Sequence, residues 1–224
     1  MPLEASKTTS LILMRHGETA WNRERRVMGN ADIRLSPNGA EQSKRAAELL
    51  ARFPVDRILS SPLSRARQTA EIVAGRVGLE FETDADLEEV HFGDWQGKTY
   101  REIVTDPRYR GFLSDPVGTA TPGGETIQDV QARGLRALQK LEPGCHALVV
   151  SHGDVIRTLI SRFLAVPLRE FRRIRVDNCG LTAVSIAAGH PEVKFLNVLA
   201  DPGRAWDPLL EHENLAIKPG WVCA

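Results

Sequence analysis

Two short apolar runs place the strongest constraint on the fold: LILM at residues 11–14 and ALVV at residues 147–150. Neither run has a polar residue that could face solvent on one side of a sheet, so each predicts a strand that is covered on both faces. Helical patterns separate the predicted strands along the chain. This alternation is typical of α/β proteins, and we predict a three-layer α/β/α sandwich around a mostly parallel central sheet.

Five segments have the composition of buried strands: residues 10–14, 57–60, 146–151, 181–187 and 193–198. Helices are predicted between them, where apolar residues recur three or four positions apart. Ser36 and Ser61 each stand directly before a proline, which indicates an N-cap followed by proline at the first helical position. Further helices are predicted over about residues 125–141 and from about residue 153.

The whole chain, residues 1–224, is expected to form one domain, because α/β domains of this length are common. Residues 96–124 interrupt the alternation of strands and helices, since they are polar and contain three prolines. We predict that they form a cap-like excursion with short helices over one face of the sheet. Residues from about 200 to 224 hold three more prolines and are predicted to form a loosely structured tail.

The charge balance and the cysteines argue against several classes of function. Basic and acidic residues number 29 each, so the surplus of cations that a nucleic-acid or anionic-membrane binder needs is missing. The three cysteines are far apart and form no CxxC pair, which argues against a metal cluster and fits the reduced thiols of the cytosol. Neither a secretory-signal pattern nor an apolar run of membrane-spanning length stands out. We therefore expect a cytoplasmic protein without a nucleic-acid or membrane partner, either a monomer or a homodimer.

Residues with chemical potential stand where three predicted strands end. The first strand ends in RHG at residues 15–17, a later one is followed by HGD at residues 152–154, and the strand between them leads to Arg65 and Arg67. Ligands of parallel sheets bind outside the carboxyl ends of the strands. One histidine in such a place is usually an ordinary loop residue, and a glycine after it often serves a turn with positive φ. Two histidine-glycine strand ends with arginines nearby indicate a shared site.

The residue types at these strand ends fit phosphoryl transfer. Guanidinium groups bind phosphate oxygens, and a histidine whose second ring nitrogen donates to a carbonyl can attack phosphorus and form a phosphohistidine. The leaving alcohol then needs a proton from a general acid. Acids stand throughout residues 86–95, DLEEVHFGDW, and spacing alone does not select one of them. If this segment is extended, Leu87, Glu89, His91 and Gly93 share one face.

Ordered sequence blocks resemble the signature of the histidine phosphatase superfamily, which contains the cofactor-dependent phosphoglycerate mutases. The blocks are RHGET with Trp21 and Asn22, Arg26 and Gly29, LSPNG at 35–39, SSPLSRA at 60–66, Glu89 with GDWQG at 93–97, and SHGDVIR at 151–157. They extend over nearly all of the chain to about residue 199. RHG alone is a weak match, but ordered blocks in the right structural contexts are highly specific, and they imply a phosphoglycerate mutase-like fold.

The resemblance implies a role for each matched residue. His16 would be the nucleophile that is phosphorylated, and Glu89 would protonate the leaving group and then activate water. The phosphoryl oxygens would be held by three side chains: Arg15, Arg65 and His152. Binding of substrate would also involve Asn22, Gly29 and Gly153. The family pattern has its arginine directly before an alanine, so it selects Arg65 over Arg67, and it requires neither a metal nor a cofactor.

Three features favour a phosphatase over a mutase within this family. Family mutases carry an arginine directly after the catalytic glutamate, and this chain has Val90 there. Met28 stands where mutases have a small hydroxyl residue, and PGGET at residues 122–126 resembles the phosphatase branch. We therefore predict a hydrolase whose partner is a small-molecule phosphomonoester. The alternatives are a cofactor-dependent phosphoglycerate mutase and a catalytically weak, phospho-ligand-binding regulatory module.

Overall fold

A six-stranded sheet lies at the centre of the computed structural model, which describes residues 8–201. The strands are β1 (Thr9–Arg15), β2 (Arg57–Ser60), β3 (Phe81–Thr83), β4 (His146–Ser151), β5 (Leu181–Ala187) and β6 (His190–Val198). Their spatial order is β3-β2-β4-β1-β5-β6. The first four pair in parallel, whereas β5 and β6 are antiparallel to their neighbours. The predicted α/β class with a mostly parallel central sheet is confirmed.

Helices cover both faces of this sheet. They are α1 (Ala20–Arg23), α2 (Pro37–Leu50), α3 (Ser64–Val77), α4 (Tyr100–Ile103), α5 (Arg108–Ser114), α6 (Ile127–Gln139) and α7 (Gly153–Phe163). Ile12 and Met14 pack with α2 and α3 on one face, and Leu13 packs with α6 and α7 on the other. The apolar run of β1 is therefore buried on both sides, as its composition predicts.

One local prediction was wrong, and the condition attached to another is not met. Ser61 does not cap a helix, because α3 begins at Ser64 and Leu63 occupies the N-cap position. The Ser61 hydroxyl instead accepts a hydrogen bond from the Leu63 amide at 3.3 Å and lies 2.7 Å from a ring nitrogen of His152. Residues 86–95 are not extended either: 3₁₀ turns at Ala85–Leu87 and Gly93–Trp95 flank an irregular loop. Strand β3, with only three residues, was not predicted.

The excursion at residues 96–124 contains the short helices α4 and α5, as expected. A separate apolar cluster of Val27, Trp95, Ile103 and Phe112 holds it together. The Trp95 indole N–H donates to Asp106 at 3.0 Å, and its ring meets Phe112 edge-on with the ring centroids 5.4 Å apart. The single-domain assignment for residues 1–224 stays a prediction, and the predicted tail lies outside the described residues from position 202 onward.

None of the helices within residues 8–201 combines the length and the apolarity needed to cross a membrane.

The chain after β1 approaches the first turn of α2 so closely that only glycine fits. A Cβ on Gly17 would overlap the carbonyl oxygen of Gly39, and a Cβ on Gly39 would overlap the carbonyl oxygen of Glu18. Gly17 is not among the residues with positive φ. Its glycine is therefore explained by close packing and not by the turn expected from the sequence.

Gly39→Ala is expected to lower the free energy of unfolding by about 1–3 kcal/mol, because the new methyl group must displace backbone. Gly75→Ala is the matched control on another helix. A Cβ at Gly75 meets nothing within 4 Å, so alanine should raise stability by about 0.5–1 kcal/mol through its higher helix propensity. Urea unfolding followed by circular dichroism measures both changes. Effects of the same sign would contradict the close approach.

Candidate active site

Parallel pairing of β1 with β4 brings two histidines together at the carboxyl ends of the strands. Arg15 lies opposite Ser151 in the register, so the residues that follow them, His16 and His152, leave the sheet side by side. Their ring centroids are 5.1 Å apart. Arg65 enters the same cluster from the first turn of α3, which follows the neighbouring strand β2. The structure therefore assembles the shared site predicted from the two histidine-glycine strand ends.

His16 has the protonation state and the hydrogen bonding of a nucleophile. Its Nδ1 lies 2.7 Å from the carbonyl oxygen of Gly17, so Nδ1 carries the proton and Nε2 keeps a free lone pair. Burial lowers the pKa of His16 well below its ordinary value, and the nearby charges of Arg65 and Arg15 lower it further. The ring is 1% exposed and stays neutral at neutral pH. Asn178 fixes its backbone by donating to the His16 carbonyl at 2.9 Å.

Backbone carbonyls hold the two arginines of the site. Arg65, 0% exposed, donates through Nη1 to Ala31 and through Nη2 to Gly29, both at 2.7 Å. Arg15 donates through Nη1 to the carbonyl of Val176 at 2.8 Å. Burial lowers the pKa of Arg65 to about 10, so its guanidinium remains charged at neutral pH.

The cluster contains buried polar nitrogens that have no protein partner. Within residues 8–201, four buried side-chain nitrogens lack a hydrogen bond, and three of them belong to this site: Arg15 Nε, Arg65 Nε and His152 Nδ1; the fourth is Arg57 Nε. A buried donor without an acceptor is costly, so these nitrogens are suited to bind ordered water, an ion or a ligand. Two guanidinium N–H groups beside an imidazole match an anion with several oxygens, such as a phosphoryl group.

His152 can take part as a donor because of Ser61. His152 Nε2 lies 2.7 Å from the Ser61 hydroxyl, which also accepts from the Leu63 amide. If the hydroxyl donates to Nε2, the ring proton is on Nδ1, the nitrogen that has no protein partner. Burial, followed by the charge of Arg65, lowers the pKa of His152 well below its ordinary value. Sequence reasoning missed this function of Ser61, because the serine-proline pair resembled a helix cap.

Glu89 is an acidic side chain of residues 86–95 that reaches this cluster, where its charge acts on Arg15 and Arg65. Its carboxylate accepts from the amide of Val90 at 3.0 Å and from the amide of Asp154 at 3.4 Å. Burial and the neighbouring Asp154 carboxylate raise the pKa of Glu89, against the opposing effect of Arg65 and Arg15. A raised pKa allows the carboxyl to keep a proton closer to neutral pH, which suits a general acid.

The structure separates alternatives that spacing left open. Arg67 is exposed, whereas Arg65 is buried in the cluster. Asp86 pairs with Arg136 and Lys140, and Asp94 pairs with Arg108; the three cationic partners are all more than half exposed. The face expected for an extended segment does not exist: Leu87 and Val90, three positions apart, are both fully buried.

The predicted binding residues occupy supporting positions. Gly29 has φ +52° and its carbonyl holds Arg65. The Asn22 side-chain oxygen accepts from the amide of Thr19 at 2.9 Å in a capping box of α1. Gly153 begins α7 beside Arg15, where an added Cβ would lie 3.7 Å from Arg15 Nε. Direct contact of these residues with substrate stays a prediction.

The chain is similar to known proteins in sequence and in overall fold. The model of the histidine phosphatase superfamily (branch 1) matches residues 11–199. The probable phosphoglycerate mutase GpmB of Citrobacter koseri is 34% identical over 218 residues, which are 95% of this chain and 89% of that protein. The structure of a mycobacterial glucosyl-3-phosphoglycerate phosphatase is 30% identical, with a TM-score of 0.77 over 86% of this chain and 100% of that one. A phosphoserine phosphatase of Entamoeba histolytica is 32% identical, with a TM-score of 0.74 over 85% and 97%.

Inorganic phosphate is expected to raise the melting temperature, because an anion that satisfies the buried donors binds the folded state alone. At 100 times its Kd the stabilisation should be about 2.7 kcal/mol. Arg65→Lys should weaken the effect, since an ammonium group cannot bond two carbonyls and an anion in the fork geometry of arginine. Thermal unfolding in phosphate and in chloride of equal ionic strength measures the shift.

Arg67→Lys is the matched control, because Arg67 lies two positions away on the same helix and is exposed. It should keep the full response to phosphate. An equal response of the wild type, Arg65→Lys and Arg67→Lys would contradict an anion site at Arg65.

Proposed function

We propose, because the chain belongs to the histidine phosphatase superfamily, that it is a metal-independent phosphatase that hydrolyses a small-molecule phosphomonoester through a phosphohistidine on His16. The observation that carries the proposal is the pairing of a neutral His16, its proton held on Nδ1 by the Gly17 carbonyl, with three buried nitrogens that have no protein partner. The first part supports a nucleophile and the second supports a phosphoryl site beside it.

In the first step, His16 Nε2 attacks phosphorus and the bond from phosphorus to the ester oxygen breaks. Glu89 gives its proton to that oxygen, so the substrate leaves as a neutral alcohol. Arg15, Arg65 and His152 donate to the phosphoryl oxygens. These donor groups are held in position by the protein before substrate binds, so they stabilise the transition state without reorganisation.

In the second step, water attacks the phosphohistidine. The Glu89 carboxylate formed in the first step takes a proton from this water, and the bond from phosphorus to nitrogen breaks. Inorganic phosphate leaves, His16 is neutral again, and Glu89 is protonated for the next substrate. The two carboxyl states of Glu89 therefore serve successive steps, which a pKa raised toward neutrality favours.

Val90 supports hydrolysis over mutase activity. It stands where family mutases have an arginine, and its side chain is 0% exposed in the core that contains α6 and α7. A cation cannot replace it without breaking that core, so the position offers no second group for a phosphoglycerate. The second candidate is a phosphoglycerate mutase, which is supported by the similarity to the probable phosphoglycerate mutase GpmB of Citrobacter koseri. The cytoplasmic location and the monomeric or homodimeric state expected from the sequence stay predictions.

Release of inorganic phosphate from aryl phosphates and from a panel of phosphorylated metabolites tests the proposal. We expect phosphate release that is unchanged by EDTA, and no isomerisation of a phosphoglycerate primed with the bisphosphate. His16→Ala should abolish turnover, because it removes the ring nitrogen that accepts the phosphoryl group in the proposed mechanism.

The circular dichroism spectrum of His16→Ala should match that of the wild type. Isomerisation without net hydrolysis would establish the mutase instead, and neither activity would favour the regulatory module. Wild-type turnover by His16→Ala would overturn the covalent mechanism, and loss of activity in EDTA would overturn metal independence.

Glu89→Gln is expected to lower kcat/KM for a substrate with a poor leaving group by about 10²–10⁴-fold. The ratio of wild type to variant, taken at each pH, cancels the ionisation of the substrate. Because the protonated carboxyl is the donor, this ratio should fall as pH rises through the raised pKa of Glu89. A ratio that is independent of pH would contradict the general-acid role.

On the acid side, the lowered pKa of His16 keeps the nucleophile neutral below the ordinary histidine value of 6.5. The pH profile of kcat/KM for the Glu89→Gln variant should therefore show no loss from protonation of His16 as pH falls through that value.

A further inference from the structure

The loop that carries Glu89, residues 86–91, has no strand partner within residues 8–201, and side chains hold its backbone in place. Arg133 on α6 donates through Nη1 to the carbonyl of Asp86 at 2.9 Å and to the carbonyl of Glu88. Its other edge donates to the Glu125 carboxylate, from Nε at 3.1 Å and from Nη2 at 2.7 Å. The Arg133 side chain is only 12% exposed, so solvent does not compete freely for these hydrogen bonds.

Glu125 extends this hold to the other side of Glu89. Its carboxylate accepts from the amide of His91 at 2.9 Å, and its own amide donates to the carbonyl of His91 at 3.0 Å. Arg133 therefore fixes two carbonyls before Glu89, and Glu125, which Arg133 orients, fixes the backbone after it. The Ser151 hydroxyl holds the carbonyl of Leu87 at 2.8 Å.

The Glu89 carboxylate depends on this backbone for its position. Both hydrogen bonds that it accepts in the described part of the chain come from backbone amides, those of Val90 and Asp154. Leu87 and Val90 anchor the loop in the core, but apolar contacts are not directional and do not set the orientation of a peptide. Hydrogen bonds to two carbonyls from one planar guanidinium do set it.

We propose that Arg133, together with Glu125, is a positioning residue for Glu89: it fixes the loop so that the carboxyl faces the leaving-group oxygen. This inference rests on the proposed function. It places Arg133 in protonation of the leaving group and not in binding of the phosphoryl group, since Nε, Nη1 and Nη2 of the guanidinium all donate to loop carbonyls or to Glu125.

The test is Arg133→Lys, measured as kcat/KM for aryl phosphates with good and poor leaving groups. Phenyl phosphate needs a proton on its leaving oxygen, and its kcat/KM should fall about 100-fold, as for a displaced catalytic group. The 2,4-dinitrophenolate group of 2,4-dinitrophenyl phosphate departs without that proton, so kcat/KM for this substrate should fall less than about threefold. Phosphate inhibition should be unchanged, because the donors to the phosphoryl group are intact.

Arg136→Lys is the matched control, because Arg136 lies three positions after Arg133 on the same helix. Arg136 donates to the side chain of Asp86 at the surface and not to the loop backbone, with its side chain 58% exposed. Both kcat/KM values should equal those of the wild type. If Arg133→Lys only disturbs the structure, kcat/KM for both substrates would fall by the same factor, and that result would overturn the proposal.

A double-mutant cycle with Glu89→Gln shows whether Arg133 acts through Glu89. Adding Arg133→Lys to Glu89→Gln should lower kcat/KM for phenyl phosphate by less than about threefold, because the acid is already absent. Losses that multiply would overturn the proposal. If Arg133→Lys does not fold, Glu125→Gln replaces it and should show the same dependence on the leaving group, since it removes the charge that orients Arg133.

These outcomes distinguish a failure of the acid role of Glu89 from a failure of the positioning role of Arg133. If Glu89→Gln shows no dependence on the leaving group, the proposed acid itself is wrong. If Glu89→Gln shows the dependence and neither Arg133→Lys nor Glu125→Gln does, the catalytic mechanism stands and the positioning role is wrong.

Discussion

The parallel pairing of β1 with β4 is the interaction on which the site depends. With Arg15 opposite Ser151, both strands deliver a histidine to one edge of the sheet, and the two rings come within 5.1 Å of each other. A shift of one residue would turn Leu13 toward α2 and α3, and Ile12 and Met14 toward α6 and α7, into spaces packed for other side chains. Because both faces of β1 are covered by helices, the packing of Ile12, Leu13 and Met14 fixes this register. The core that stabilises the fold therefore also sets the geometry of the site.

The burial of positive charge explains much of the chemistry at this edge. Arg65 is removed from water and stabilised by the carbonyls of Ala31 and Gly29, yet its Nε keeps no protein partner. Its charge, with that of Arg15, helps to hold the His16 ring neutral. The same burial that disfavours cations raises the pKa of Glu89. One desolvated cluster thus favours a neutral imidazole at His16, a raised pKa at Glu89 and an anionic ligand at the same time.

Sequence patterns predicted the parts of this site that follow from local periodicity. His16 and His152 could be placed because apolar strands end just before them. The helix start after the next strand left Arg65 and Arg67 as alternatives, and the family pattern selected Arg65. Residues 86–95 could not be placed in this way. Their conformation is set by Arg133, which is 45 residues from Glu88 along the chain, and by Glu125. No periodic pattern records a contact of that kind. The prediction of Ser61 as a helix cap was wrong for a related reason. Its hydroxyl contacts His152, 91 residues away along the chain, instead of the adjacent helix.

The hydrogen bonds from Arg133 and Glu125 that fix the Glu89 loop also separate Glu89 from the excursion at residues 96–124. The loop with Glu89 runs directly into residues 96–124, which return at Gly124 and Glu125 against the backbone of His91. A Cβ on Gly124 would overlap the carbonyl oxygen of His91, so the two ends of the excursion are closed at one point. Trp95, Ile103 and Phe112 then pack the excursion in a core of its own. Under the proposed function, substitutions between these fixed ends are expected to alter selectivity among phosphomonoesters without moving Glu89.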